Sequence, residues 1–515
     1  MEETKKKKVG FLLVIVAVMM LMTACVLYVT LFGDKKADNK QTTNTSDNKK
    51  YLSYKMKGNS LEDFDLYFLQ LENGKTNKLY SPLSIKYALE MLAEGANGNT
   101  KEQLTSVLGS YTAKKYPNNK NMTFANALFI KDSYKDAVKD DFTKNLQQKF
   151  NATVFYDSFK TPDQVNSFVK KNTLNLIDHL VDDISENDFL LINALAIDME
   201  WVNKIKPVDD PYSVSYLHEK YSNYVEPLTA DGYHQTNFKG MDKQVAATDF
   251  DVTANKYDII KALGEDKIRE TIAKEYEKWM KDPDSEKCGN EGPTEQVVNS
   301  FVKDLKTNYK QYDNSTDFNY YVDEDVKVFA KDLKTYDGIT FQYVGIMPDK
   351  KELDEYIKDI KAEDLNKIIS NIKDTKYESF EEGVITNVHG SVPIFKFDYE
   401  LKLLNDLKNL GITDVFDLEK ADLSNLTSSK AFIDNAVHKA NIDFSNDGIK
   451  AAAATEMGGY GAGDCGFDYF FDVPVVEIDL TFDKPYMFMV RDKDTGEIWF
   501  MGTVYEPTTA ESVNN

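Results

Sequence analysis

Between residues 61 and 180 apolar side chains recur at a helical period, whereas from 189 to 504 they gather into short runs rich in valine, isoleucine, phenylalanine and tyrosine. The two kinds of segment are segregated rather than alternated. That argues against strand–helix–strand units and for an α+β fold on large, mostly antiparallel sheets. Leu61, Phe64, Leu66, Phe68, Leu69 and Leu71 form the first helical stripe. Ser81 followed by Pro82 opens a second helix, with Ile85, Ala88, Leu89 and Leu92 on one face and Gly95 at its end. Thr100 is expected to cap a third helix that closes at Leu108-Gly109, and further helices are predicted over 136–150 and 163–180. Strands are predicted over 189–197, 326–329, 339–346, 392–397, 440–444, 473–482, 486–490 and 498–504.

The strand signal stops between 252 and 316, where two amphipathic helices follow each other. Ile268, Ile272, Tyr276, Trp279 and Met280 make one stripe, and Val298, Phe301, Val302, Leu305, Tyr309 and Tyr312 the other, with a turn from Cys288 to Pro293. The segment 253–316 reads as an inserted helical hairpin whose stripes pack on each other and on the parent domain. A surface for docking a partner is the alternative.

Residues 9–32 carry no charge, and as a helix they would reach about 36 Å, enough for a hydrocarbon core of about 30 Å. Lys5, Lys6, Lys7 and Lys8 precede them and stay cytoplasmic by the positive-inside rule, so the chain beyond is expected outside the cell membrane. Residues 1–8 are then a basic tail, 9–32 a single transmembrane anchor, 33–58 a flexible linker, 59–507 the folded domain and 508–515 a tail. A rival is a lipoprotein signal, Met22-Thr23-Ala24-Cys25, with lipid on Cys25. The uncleaved anchor is preferred because 26–32 remain apolar.

The net charge of −23 excludes nucleic acid as a partner, since phosphate binding needs a basic surface. The three cysteines, Cys25, Cys288 and Cys465, are too scattered for a disulfide framework or a zinc site. The five histidines lack metal-ligand spacing, and neither a nucleophile elbow nor a phosphate loop is present, so no enzyme, metal or cofactor is expected.

Five groups of residues stand in a telling order. Ser81-Pro82-Leu83-Ser84-Ile85 is followed by Gly95-Ala96-Asn97-Gly98-Asn99-Thr100; Asn193-Ala194 is followed by Trp201. Leu410-Gly411-Ile412 leads to Phe416 and Ala421-Asp422-Leu423-Ser424, and His438-Lys439-Ala440 leads to Gly448 and the run Ala451, Ala452, Ala453, Ala454, Thr455. Phe482-Asp483-Lys484-Pro485-Tyr486 and Phe500-Met501-Gly502-Thr503-Val504 close the series. Together they resemble the serpin family, in the form of a bacterial-type, membrane-anchored member. The resemblance implies a large central sheet, two further sheets and about nine helices, here with the hairpin added. Two departures stand out: the insertion itself, and a segment between Gly448 and Phe482 longer than the family's usual spacing.

By resemblance, Ser81, Ser84, Asn193 and His438 form a hydrogen-bonded shutter, Trp201 marks the breach, and Gly448, Ile449, Lys450, Ala451, Ala452, Ala453, Ala454 and Thr455 are the hinge of a reactive loop. A serine or cysteine protease would attack that loop. The acyl-enzyme would then be trapped as the loop enters the central sheet and distorts the site needed for deacylation. The residues suit a strand buried on one face: Ile449, Ala451, Ala453 and Thr455 alternate to one side, keeping Lys450 and Glu456 on the other. Each backbone hydrogen bond nets about 0.5–1.5 kcal/mol, so a full inserted strand would yield on the order of 10 kcal/mol. Counting from Gly448 as the family does puts the scissile bond at Ala462-Gly463, which favours elastase-like or subtilisin-like proteases; use of Tyr460 would favour a chymotrypsin-like one. The expected inhibitor is a monomer consumed once. The rival is a serpin fold that only binds or adheres at the surface.

Overall fold

The computed structural model describes residues 54–205, 233–254, 259–308, 318–449 and 475–513, apart from breaks at 73, 286, 288–291, 377–378, 382 and 435, together with Phe467 and Phe471. All belong to the compact unit Tyr51–Asn515. Among the described residues no helix is long and apolar enough to cross a membrane; 9–32 lie outside them.

Helix Asp63–Leu71 (α1) begins where the Asp65 carboxylate accepts the Glu62 N–H at 2.8 Å. Strand Lys78–Tyr80 (β1) leads to Pro82–Gly95 (α2), whose first turn is closed by the Ser84 N–H donating to Ser81 Oγ at 3.1 Å. Pro82 costs nothing there because the first-turn N–H has no helical partner to lose. Gly98–Leu108 (α3) is entered from Asn97, not from Thr100. Thr100 lies inside the helix, and its hydroxyl instead accepts the Asp422 N–H at 3.0 Å.

Strand Met122–Lys131 (β2), helix Asp140–Phe150 (α4), strand Thr153–Asp157 (β3) and helix Asp163–Asn172 (α5) follow. The last stops well before residue 180, because Leu174 and Asn175 take left-handed φ of 55° and 59° and Thr173 Oγ1 accepts the Ile177 N–H at 3.2 Å. Next come Phe189–Ile197 (β4), Met199–Glu200 (β5), Tyr233–Thr236 (β6) and Val245–Ala254 (β7). Helices Glu265–Lys281 (α6) and Thr294–Asn308 (α7) form the hairpin, with Ile268, Ile272 and Tyr276 of the first and Val298, Val302 and Leu305 of the second buried.

The remainder runs Asn319–Val322 (β8), Val326–Asp332 (β9), Phe341–Pro348 (β10), Leu353–Asp359 (α8), Ala362–Ser370 (α9), Lys373–Asp374 (β11), Ile385–Pro393 (β12) and Phe395–Lys402 (β13). Val437–Phe444 (β14), Gly448–Ile449 (β15), Val475–Asp479 (β16), Tyr486–Asp492 (β17) and Ile498–Val504 (β18) complete the sheets. The strand predicted over 392–397 straddles the junction of β12 and β13 at Ile394. Nine helices among the described residues reach seven residues or more, the hairpin pair included.

One sheet runs β1-β18-β17-β10-β9-β8-β11, antiparallel throughout, and a second runs β16-β12-β7-β6, with only β12 and β16 parallel. The central sheet comes in two parts, β3-β2-β4 and β13-β14-β15-β5. They are joined because β4 and β5 are one run of chain interrupted only at Asp198. Helix α2 lies against both β4 and β18, which is why nearly its whole circumference, Leu83, Ile85, Tyr87, Leu89 and Met91 included, is buried.

Candidate functional site at the open central sheet

Strand β14 pairs with β13 along its whole length, but on its other edge only Phe444 has a strand partner, Ile449. Strand β4 is likewise paired on one side, to β2. Among the described residues, then, two strand edges face one another across a cleft of about 80 Å³, lined by Ser81, Ser84, Asn193, His438, Ala440 and Thr173. Exposed edges present unpaired N–H and C=O groups in a row, a template that one further strand would satisfy.

At one end the seat is already taken. Gly448 pairs with Glu200 and Ile449 with Met199, while Ile449 also pairs with Phe444, so β15 lies between β5 and β14 and antiparallel to both. A tight turn makes this possible: the Ser445 N–H donates to the Gly448 carbonyl at 3.0 Å. The turn is tied down on three sides. The Ile205 N–H donates to Asn446 O at 2.8 Å, Tyr233 Oη donates to Asn446 Oδ1 at 3.0 Å, and Asp447 is ion-paired to Lys204. Gly448 is required by proximity rather than by an unusual φ. A Cβ there would stand 2.2 Å from the Met199 carbonyl oxygen and 2.7 Å from Glu200 Cα, both backbone atoms.

Trp201 backs this corner. Fully buried, it donates its backbone N–H to Asp447 O at 3.0 Å and its indole N–H to Ser445 O at 2.9 Å, and its ring meets Phe444 and Tyr343 edge-on at 5.6 and 6.1 Å. The indole therefore fixes the turn that sets β15 in place.

Further along the cleft the Ser81 N–H donates to His438 Nε2 at 2.9 Å. That bond requires an unprotonated Nε2, and burial pushes the imidazole from its ordinary 6.5 down to about 4, which keeps it neutral near pH 7. Ser81 thus serves twice, as helix cap and as donor. Asn193 lines the same cleft but is not bonded to this group: its amide donates to Asn126 Oδ1, and Asn126 donates to Phe150 O at 2.7 Å. Among the described residues Asn193 Oδ1 is a buried acceptor without a hydrogen-bond partner.

The structure thus brings Ser81, Ser84, His438 and Asn193 to one cleft and Trp201, Gly448 and Ile449 to its end. Lys450, Ala451, Ala452, Ala453, Ala454, Thr455, Tyr460, Ala462 and Gly463 lie outside the described residues, as do Cys25, Cys288 and Cys465. Sequence reasoning missed Asn126, because β2 itself was not anticipated, and it assigned no part to Ser445 and Asn446, whose carbonyls accept from the Trp201 indole and the Ile205 N–H and so leave no side-chain signature for those two bonds. Among the described residues no group of three metal-ligating side chains converges.

The family model described as "Serpin (serine protease inhibitor)" matches residues 64–209 and 299–507. An uncharacterized serpin-like protein of Methanosarcina acetivorans is 24% identical over 98% of this chain and 100% of its own length. The human leukocyte elastase inhibitor is 32% identical over 40% of this chain and 50% of its own length. Among solved structures the thermophilic serpin tengpin in its native state superposes with a TM-score of 0.58 at 23% identity, covering 92% of this chain and 97% of that one; its latent state gives 0.55.

Proposed function

The chain belongs to the serpin family, non-enzymatic proteins that include protease inhibitors, and from that premise we propose that it is an extracellular suicide substrate for a serine or cysteine protease. The protease attacks the loop that follows Ile449, an acyl-enzyme forms, and the loop enters the cleft between β4 and β14 before water can release it. The observation that carries this reading is that, among the described residues, β4 and β14 each have an unpaired edge on the same cleft, with β15 already seated at its head. Chemistry supports it further: the residues after Ile449 are Lys450 and then small ones, Ala451, Ala452, Ala453, Ala454 and Thr455, without proline, as a new middle strand demands. In this reading Ser81, Ser84, His438 and Asn193 hold the two edges in their open arrangement, and Trp201 holds the corner from which insertion proceeds. Asn193 Oδ1 would gain its missing donor when the strand arrives.

The peptide bond attacked is Ala462-Gly463, or the one after Tyr460, and the domain stands outside a membrane on the anchor 9–32. Mixing the folded domain with a panel of serine and cysteine proteases should give, with at least one, a covalent complex that survives denaturing electrophoresis. Mass measurement of the released carboxy-terminal peptide should start it at Gly463 or Gly461. Clean cleavage by every protease, with no complex, would instead favour a serpin fold that only binds at the cell surface.

A further inference from the structure

The family match leaves 210–298 uncovered, and part of that stretch meets the segment between Gly448 and Phe482 in space. Phe467 sets its ring edge-on against Tyr276 at 5.3 Å and tilted against Trp279 at 6.1 Å, both on α6. Phe471, at 1% exposure, is buried in the cluster of Ile268, Ile272, Val302 and Ile385, with Phe301 of α7 at 6.2 Å. Lys287 covers another approach to Trp279 with its ammonium 5.5 Å from the ring. This cluster is separate from the main core. Two helices of this length cannot enclose an apolar seam by themselves, and here β12 supplies Ile385 and the loop supplies Phe471 to close it.

We propose that the hairpin is a clamp on the carboxy-terminal arm of the reactive loop, and that it determines which bonds a protease can reach. The inference rests on reading 450–466 as that loop. With Ile449 held in the central sheet and Phe467 held on α6, only 450–466 remain to be offered. Proteases read their substrates as extended strands drawn away from the inhibitor's body, and a bond beyond Phe467 can be presented only by pulling Phe471 out of its cluster. If Ala462-Gly463 is cut, Asp464, Cys465 and Gly466 alone separate the new amino-terminal Gly463 from the clamp. The arm thus stays on the hairpin while the other end moves into the sheet. The residues between that bond and Phe467 then serve as the clamp's tether.

The test is a map of cuts, which requires no trapping and therefore stands apart from the inhibitor reading. Brief digestion of the whole protein with chymotrypsin should release carboxy-terminal peptides that begin before Phe467 and none that begin between Asp468 and Asp472. Tyr276→Ala with Trp279→Ala, and separately Phe467→Ala, should open bonds after Tyr469, Phe470 and Phe471, with cutting there at least tenfold faster. Phe467→Ala leaves both helices untouched and guards against a hairpin that fails to fold. It should also shift Trp279 emission to longer wavelength, since Trp201 and Trp499 are fully buried elsewhere. Cleavage of the parent protein beyond Phe467 as fast as in the variants would overturn the clamp, and so would continued protection in folded variants.

Discussion

At the scale of single residues the most informative side chain is His438, because its protonation and its hydrogen bond exclude each other. Its folded pKa of about 4 lies below the ordinary 6.5, so the unfolded chain takes up the proton first as pH falls. The stability it contributes is complete above about pH 6.5 and is lost as pH drops toward 4; at about 1.4 kcal/mol per pH unit this is up to roughly 3 kcal/mol. The stability gap between the parent and His438→Gln should therefore be widest near neutrality and narrow by roughly that amount at pH 4, measured by urea unfolding across the range. A gap that does not change with pH would assign the proton uptake elsewhere. Ser81, Ser84 and His438 could be singled out from sequence because a serine cap and a lone histidine stand in recognisable strings. Asn126 could not. In β2 buried and half-buried positions alternate only over Met122–Asn126 and burial is continuous from Asn126 to Ile130, so a period of two is not sustained, and polar Thr123 and Asn126 break its apolar run.

At the scale of elements, β15 is two residues long and still joins β5 to β14 in one sheet. Its tolerance is small: Gly448→Ala must displace the Met199 backbone, an overpacking that costs about 1–3 kcal/mol. The variant should melt several degrees lower, and the Ile449 and Trp201 amides should exchange hydrogen faster than in the parent. An unchanged melting curve with those amides still protected would mean the close approach is not what demands glycine. Other elements were legible to different degrees. The bounds of β4 and β18 agree with their apolar runs: Asp188 and Asp198 flank the first, and Glu497 precedes the second. The end of α5 was hidden, since Leu174 and Asn175 turn left-handed without a glycine to announce it. The junction of β12 and β13 was hidden as well, because the apolar run passes through Ile394 while the hydrogen bonds change partner there.

For the whole molecule, segregation of helical and strand periods was enough to give the α+β class and its antiparallel sheets, and recurring motifs were enough to give the family. What no local pattern carries is the pair of edges left without a partner among the described residues, because it is a relation between β4 and β14, more than two hundred residues apart in sequence. If the proposed insertion occurs, a strand between them adds hydrogen bonds on both edges, and the cut protein should be the more stable form. Nicking after 450 and before 467 should raise the thermal midpoint well above that of the intact protein in a calorimeter. Equal midpoints would remove the energetic basis of trapping. One further consequence follows from Gly448 and Ile449 resting between β5 and β14. Strand pairing between distant segments is ordinarily slow because two chain ends must find each other before any contact rewards them. Under the proposed function that search would be over before any protease arrived: like a zip with its slider engaged, the sheet would have only to run, one rung after another, from a corner that is already closed.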